Sequence, residues 1–297
     1  MTTQVDFETW SGEAVSLDEV QDALARLRDA ASPPDQPPPL RTSVMTHMAW
    51  VPEQWADAAR SALAGMAEAH PSRTILLMPE PDTGRDQIDA FVSVECYAIP
   101  SAKRKICTEV VELHVHGIRA KSPATIVEPL LISDLPAFLR WRGEPPWGSP
   151  ELDQLVAVTD RLIVDSTEWD DVPYGYRHLE ELFGRVVVSD IAWERTHRWR
   201  TLLASLWPDL ADVSTIRVHG TPAQGWLLAG WLRSRMERDD ITLELVEQDR
   251  LTGIDLDGEP APFPPGDPPE LRKPVAVEPL ELVHHLWSTT YAGRRFL

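Results

Sequence analysis

RTSVMTHMAWVPEQWADAARSALAGMAEAHPSRTILLMP, residues 41–79, decides the fold class. Residues 41–51 read as a strand. Pro52 then opens a helical stretch to residue 70, in the first turn, where a missing amide hydrogen costs little. RTILLMP (73–79) is a short, continuously apolar run, the mark of a strand covered on both faces. A strand, a helix of ten residues or more and a second buried strand form a crossover unit, and such units build parallel sheets.

The same alternation continues downstream. QIDAFVSVECYAIP and KICTEVVELHVHG form a hairpin closed by a Pro-Ser-Ala-Lys turn. A helix around 123–131, a strand near 137–142, a helix at 151–159 and the strand RLIVDST follow. YGYRHLEELFG is a short helix with Gly184 as its C-cap, and RVVVSD is another strand. Residues 40–189 are therefore expected to form a Rossmann-like α/β domain around a doubly wound, mostly parallel sheet. Beyond residue 190 the pattern changes. WERTHRWRTLLASLW (193–207) reads as one helix, then come the strand VSTIRVHG and the helix PAQGWLLAGWLRSRM. ITLELVEQ, LTGIDLDG and RKPVAVEPL are strands with no helix between them, and ELVHHLWS is a last helix. Residues 190–297 thus read as an α+β domain with a mostly antiparallel sheet and a Pro-rich loop at 259–274. Upstream, SPPDQPPP is a stiff spacer that sets off residues 1–39. Before it, Ser16 and Glu19 form a capping box, and Val20, Leu24 and Leu27 share one helical face that needs a surface to dock on.

At 297 residues and 43% hydrophobic the chain has material for about two domains with real cores. Its net charge of −19 argues against partners made of phosphate or anionic lipid. No apolar stretch approaches the ~20 residues of a membrane span, and MTTQVDFETW lacks the basic and apolar regions of a signal peptide. Two cysteines exclude a disulfide scaffold and a Cys-rich zinc site and suit a cytoplasmic location.

Catalytic signatures are absent: there is no GxGxxG, GxSxG, HExxH, CxxC or EF-hand loop. GTPAQG (220–225) has the two glycines of a phosphate loop, but Trp226 and Leu227 stand where Lys and Ser/Thr are required, which leaves a tight turn and a helix start. His114 and His116 share a strand face with Glu112 and read as a wetted polar face, so no metal or cofactor is expected. A hairpin turning near 101–102 pairs residues whose numbers sum to about 203, which places Cys96 opposite Cys107. Both then lie on the apolar face with Val92, Val94, Val111 and Leu113. Buried free thiols are the ordinary reading and a redox-active pair the sharper one. In open parallel sheets ligands sit beyond the carboxyl ends of the strands. Asp165 and Asp190 are near such ends and Asp134 enters another strand, so a sugar phosphate could bind there. Helix caps and surface ion pairs account for the same residues.

Five of the twelve tryptophans lie between Trp193 and Trp231, and three arginines interleave with them in 193–207. Trp and Arg dominate protein–protein hot spots, which makes Trp193, Arg195, Trp199 and Arg200 the first candidates for a partner surface. Helical geometry puts 193 and 200 on one face. Arg140, Trp141 and Arg142 form a second patch where a strand leaves the sheet.

RTSVMTHMAWVP (41–52), HPSR (70–73), EPLLISDLPAFLRWRG (128–143), DRLIVDSTEW (160–169), SDIAWERTHRWRTLLASLW (189–207) and GWLLAGWLRSRM (225–236) carry a resemblance. In order and spacing they resemble the glucose-6-phosphate dehydrogenase assembly protein family (OpcA), over residues 40 to about 240. The resemblance implies a cytoplasmic, non-catalytic subunit that binds glucose-6-phosphate dehydrogenase, promotes its active oligomer and raises its activity, within the pentose phosphate pathway. Cyanobacterial members couple this to thioredoxin-type redox control, but neither Cys96 nor Cys107 matches a regulatory cysteine and the property is not carried over. A homo-oligomer stays open. The alternatives are a sugar-phosphate-binding enzyme or sensor at the strand ends and, more weakly, a thiol redox sensor.

Overall fold

The computed structural model describes residues 5–31, 43–63, 72–99 and 104–261. The Pro-rich spacer, the expected helix beyond residue 63, the hairpin turn at 100–103, the 262–274 part of the Pro-rich loop, the RKPVAVEPL strand and the terminal helix lie outside the described residues. The elements run β1 (Val5–Gly12), α1 (Leu17–Ala30), β2 (Thr46–Trp50), α2 (Ala56–Leu63), β3 (Arg73–Glu80), β4 (Ile88–Ile99), β5 (Arg104–His116), α3 (Pro123–Val127), β6 (Ala137–Trp141), α4 (Pro150–Ala157) and β7 (Arg161–Val164). They continue as α5 (Val172–Glu181), β8 (Val187–Asp190), α6 (Ile191–Arg195), α7 (His197–Ser205), β9 (Thr215–Gly220), α8 (Pro222–Met236), β10 (Thr242–Glu247), β11 (Gly253–Leu256) and β12 (Glu259–Pro260).

Two compact units result. Among the described residues, the first holds those up to Val164 together with Leu182–Val188, and the second holds Asp165–Glu181 and those from Ser189 onward. A single boundary near residue 190 was expected; instead, among the described residues, the chain passes between units three times. The passages follow from where strands and helices find their partners: β8 joins the large sheet, whereas α5 packs on α8.

The large sheet has the order β1-β4-β5-β3-β2-β6-β7-β8. From β5 to β7 its pairs are parallel, as the 41–79 pattern predicts, and β1, β4 and β5 are antiparallel. Continuously apolar strands produce a core sealed on both faces: Ile75, Leu76 and Leu77 in β3 are fully buried. One face takes α1, whose capping box is formed as expected and whose Val20, Ala23 and Leu24 are buried. Arg28 of α1 and Arg73 of β3 both reach the buried Glu109, at 2.7 and 2.6 Å, which fixes the helix to the sheet. The other face takes α2, where Ala59 packs with Ala49, Val51, Leu76 and Met78. Residues 5–30 are thus part of the first unit, with β1 paired to β4 along its whole length.

The β4–β5 register places Ile88 opposite Val115 and Cys96 opposite Cys107, the pairing the hairpin arithmetic requires. The two sulfurs are bonded, with 4.1 Å between the Cα atoms. Both residues are buried, so the free-thiol reading gives way to a sealed cross-strand bond. The histidine face is less wet than the alternation suggests. Glu80 reaches both His114 (2.8 Å) and His116 (3.2 Å), and Asp89 meets the other nitrogen of His116 at 2.9 Å. Three adjacent strands contribute these groups, and His116 is buried among them. No cluster of three or more His, Cys, Asp or Glu side chains arranged for a metal ion occurs among the described residues.

In the second unit the sheet order is β10-β9-β11-β12. The crossover helix α8 makes β9 and β10 parallel, and β11 and β12 add antiparallel pairs. GTPAQG is the turn into α8: Thr221 and Gln224 form a capping box there. Gly225 allows the helix to lie close to β10, since a Cβ would sit 3.0 Å from Leu245. Ile216 and Val218 point into a core with Trp199, Leu203, Leu228, Ala229 and Leu232. The opposite face is polar, with Arg217 on Glu244 (2.8 Å) and His219 on Asp255 (2.9 Å). No helix among the described residues is long and apolar enough to cross a membrane.

Candidate functional site

The Trp/Arg segment is held by two carboxylates at strand ends. Asp165 follows β7 and caps the turn 166–168, its Oδ1 accepting from the Thr167 amide (3.2 Å) and hydroxyl (2.6 Å). Its Oδ2 accepts from Arg195 Nη1 at 2.8 Å. Asp190 ends β8 and caps α6: its Oδ1 accepts from the Ala192 amide (2.9 Å) and the Ser166 amide (3.1 Å). Its Oδ2 accepts from the Ser166 hydroxyl (2.6 Å) and the Tyr176 hydroxyl (2.8 Å). Burial pushes the Asp190 carboxyl up, against the pull of the Ser166 and Tyr176 hydrogen bonds. Burial, and then the Asp190 charge, pushes the Tyr176 phenol well above its usual value, so it stays a donor. Gly175 makes room beside Tyr176 for the Trp169 ring, which a Cβ would approach to 2.5 Å.

These contacts turn the expected strand-end cleft inward. Asp165 and Asp190 are both buried and their oxygens are taken by the protein, so neither carboxylate is open to a ligand. Asp134, exposed in the first unit at φ +67°, is in a different unit and is not brought into this network. The network orients α6, and through it the aromatic–cationic surface.

Residues 193–207 are two helices rather than one. At Thr196 the hydroxyl donates to the Trp193 carbonyl (2.7 Å) and accepts from Arg200 Nε (3.1 Å), and α7 starts afresh at His197. The turn keeps the expected 193/200 neighbourhood: the Arg200 guanidinium lies 3.5 Å above the Trp193 ring. Trp193 and Arg200 are half-buried, and Arg195 is exposed. Trp199 differs from its expected role, because at 4% exposure it belongs to the core under α8.

The second patch is reduced in the same way. Trp141, at 1% exposure, stacks on Trp50 with 5.0 Å between rings, and Arg140 is buried. Arg142 is half-buried, with its guanidinium 4.5 Å from the Trp55 ring. Sequence reasoning missed Ser166, Tyr176 and Thr196. The signal for Thr196 is a hydroxyl inside a run otherwise built of helix formers, where it can compete for backbone carbonyls.

Two family models match the chain in succession. Residues 64–181 match the glucose-6-phosphate dehydrogenase subunit N-terminal domain, and residues 186–262 match the C-terminal domain of the same subunit. The chain belongs to the OpcA family. The OpcA match covers α5 with the N-terminal model, although in space α5 is part of the second unit. Curated relatives carry the name "Putative OxPP cycle protein OpcA". The Nostoc punctiforme OpcA is 29% identical over 191 residues, covering 60% of this chain and 41% of that protein. The Synechococcus elongatus OpcA is 28% identical over 228 residues, covering 68% and 50%. That of Synechocystis is 23% identical over 185 residues, covering 58% and 38%. The chain thus matches half or less of the length of these OpcA relatives.

Proposed function

We propose that this chain is a non-catalytic subunit that binds glucose-6-phosphate dehydrogenase, promotes its active oligomer and raises its activity. The observation that carries the reading is the ordered match to both subunit domains, which together span most of the described body. The structural support is a site organised for presentation rather than for turnover. Its Ser166 hydroxyl is sealed, and its two aspartates are committed to capping and to Arg195. A protein that activates without chemistry of its own acts by binding the active state more tightly than the inactive one. The activation cannot exceed that difference in affinity. A specific contact of this kind buries roughly 1,600 Å² in total.

The test is a titration of the chain into the glucose-6-phosphate dehydrogenase of the same host, following reduction of NADP⁺ or NAD⁺. The expected result is a saturable rise in rate, with no turnover by the chain alone and a shift of the enzyme to a larger species on a sizing column. An unchanged rate and an unchanged size at micromolar excess would rule the reading out.

A further inference from the structure

Arg200 has a peculiarity that its neighbours do not explain. Its guanidinium is half-buried and fixed on the face of Trp193, yet its hydrogen bonds go only to neutral acceptors: the Thr196 hydroxyl from Nε and the Trp193 carbonyl from Nη2, at 3.4 Å. No carboxylate among the described residues is in ion-pair contact with it, in a chain where acids outnumber bases by 47 to 28. Other arginines of this unit do better: Arg195 has Asp165, Arg217 has Glu244, and Arg238 has Asp240. Two charges act on Arg200 from a distance. Glu194 favours its charge and Arg235 opposes it, while burial, the strongest influence, brings its pKa down to about 10.

A partly desolvated cation with no counter-charge is a cost to the free protein unless something outside it supplies the charge. The geometry describes what that something is. Guanidinium has five N–H donors, and the bonds to Thr196 and Trp193 use one on Nε and one on Nη2. Both hydrogens of Nη1 and the second of Nη2 remain, and one from each nitrogen forms the end-on edge that receives a carboxylate in a two-point grip. The indole behind it fixes the plane of the fork, so little freedom is lost when the grip closes.

We infer that the Trp193–Arg200 stack is the anchor of the docking surface and that it receives a carboxylate side chain from an acidic segment of the partner dehydrogenase. This rests on the reading of the chain as a dehydrogenase-binding subunit. The occupant is argued from charge: a basic anchor of this kind, beside Arg235 and exposed Arg195, is the complement of an acidic segment and the opposite of this chain's own acidic surface. Arg195 is already paired with Asp165, so Arg200 is the member of the surface that is still short of a counter-charge.

Surface plasmon resonance between the full chain and immobilised host dehydrogenase, at low and at high salt, decides the matter. Four proteins are compared: the unmodified chain, Arg200→Gln, Arg200→Lys, and Arg217→Gln as a control on the polar sheet face. Circular dichroism melts confirm that each is folded. The expected result is a loss of about tenfold or more in affinity for Arg200→Gln, together with a shallower salt dependence. Arg200→Lys keeps the charge without the fork and should fall between, and Arg217→Gln should bind like the unmodified chain. Equal affinity of the unmodified chain and Arg200→Gln overturns the inference while leaving the subunit reading intact. A loss that is the same for Gln and Lys, with an unchanged salt slope, also overturns it, since the residue would then act by packing. No binding by the unmodified chain would overturn both.

Discussion

The two sheets of this molecule solve burial differently. In the first unit β3 is flanked by strands on both sides and covered on both faces, so Ile75, Leu76 and Leu77 are all fully buried. In the second unit β9 buries Ile216 and Val218 on one face and shows Arg217 and His219 on the other. The first arrangement concentrates stability in apolar contact. The second carries a thinner core and uses ion pairs and caps to hold particular side chains in place.

The strongest challenge to this contrast is truncation of matching residues. Leu77→Ala in β3 should destabilise its unit by about 3–4 kcal/mol in urea unfolding, because close packing cannot refill the space. Leu245→Ala in half-buried β10 should cost only about 1–2 kcal/mol. Equal losses would erase the distinction.

Acid should act on the first unit through His47. Its Nδ1 is sealed from solvent without a partner, and burial, then the nearby Arg140 charge, lowers its pKa to about 4. The unfolded chain binds that proton near pH 6.5 and the folded one only near pH 4. Stability is therefore full above pH 6.5 and falls as pH drops towards 4, by at most about 3 kcal/mol. His47→Gln should flatten the slope of unfolding free energy between pH 6.5 and 5, and an unaltered slope would exonerate the residue.

In the second unit the caps should matter more than the surface pairs. Asp190→Ala strands four donors and should cost about 2–3 kcal/mol, whereas Asp190→Asn retains an acceptor for the two amides and should cost less. Hydrogen exchange at Ala192 would report the change, and a silent Ala variant would show that the network carries nothing. Smallest of all, Arg217→Ala removes an exposed pair and should change stability by well under 1 kcal/mol, measured by thermal melting.

How much of this the sequence discloses depends on distance along the chain. The parallel core and the Cys96–Cys107 register are legible because each is set by a nearby partner: a crossover helix in one case, a short turn in the other. β1 is not legible, since what makes Val5–Gly12 a strand is β4, far away in sequence, and its own alternation is interrupted. The joint at Thr196 is hidden for another reason: helical periodicity runs on through it, and only the hydroxyl bond to Trp193 marks where one helix ends and the next begins. At the site, the 193/200 neighbourhood follows from helical spacing. The burial of Trp199 and Trp141 does not, because tryptophan is favoured equally in cores and at interfaces. Asp165 and Asp190 are visible as strand-end acids, but the hydroxyls that donate to Asp190, those of Ser166 and Tyr176, come together only in space.

The three passages between units among the described residues also bear on synthesis. A ribosome releases α5 before α8, the helix it packs on, and then releases β8, which joins the large sheet. Leu182–Val188 can dock at once, while Val172–Glu181 must wait, tethered at both ends, until Pro222–Met236 has emerged. The nascent protein thus carries α5 without its helical partner until α8 emerges, a stage at which a chaperone would find it.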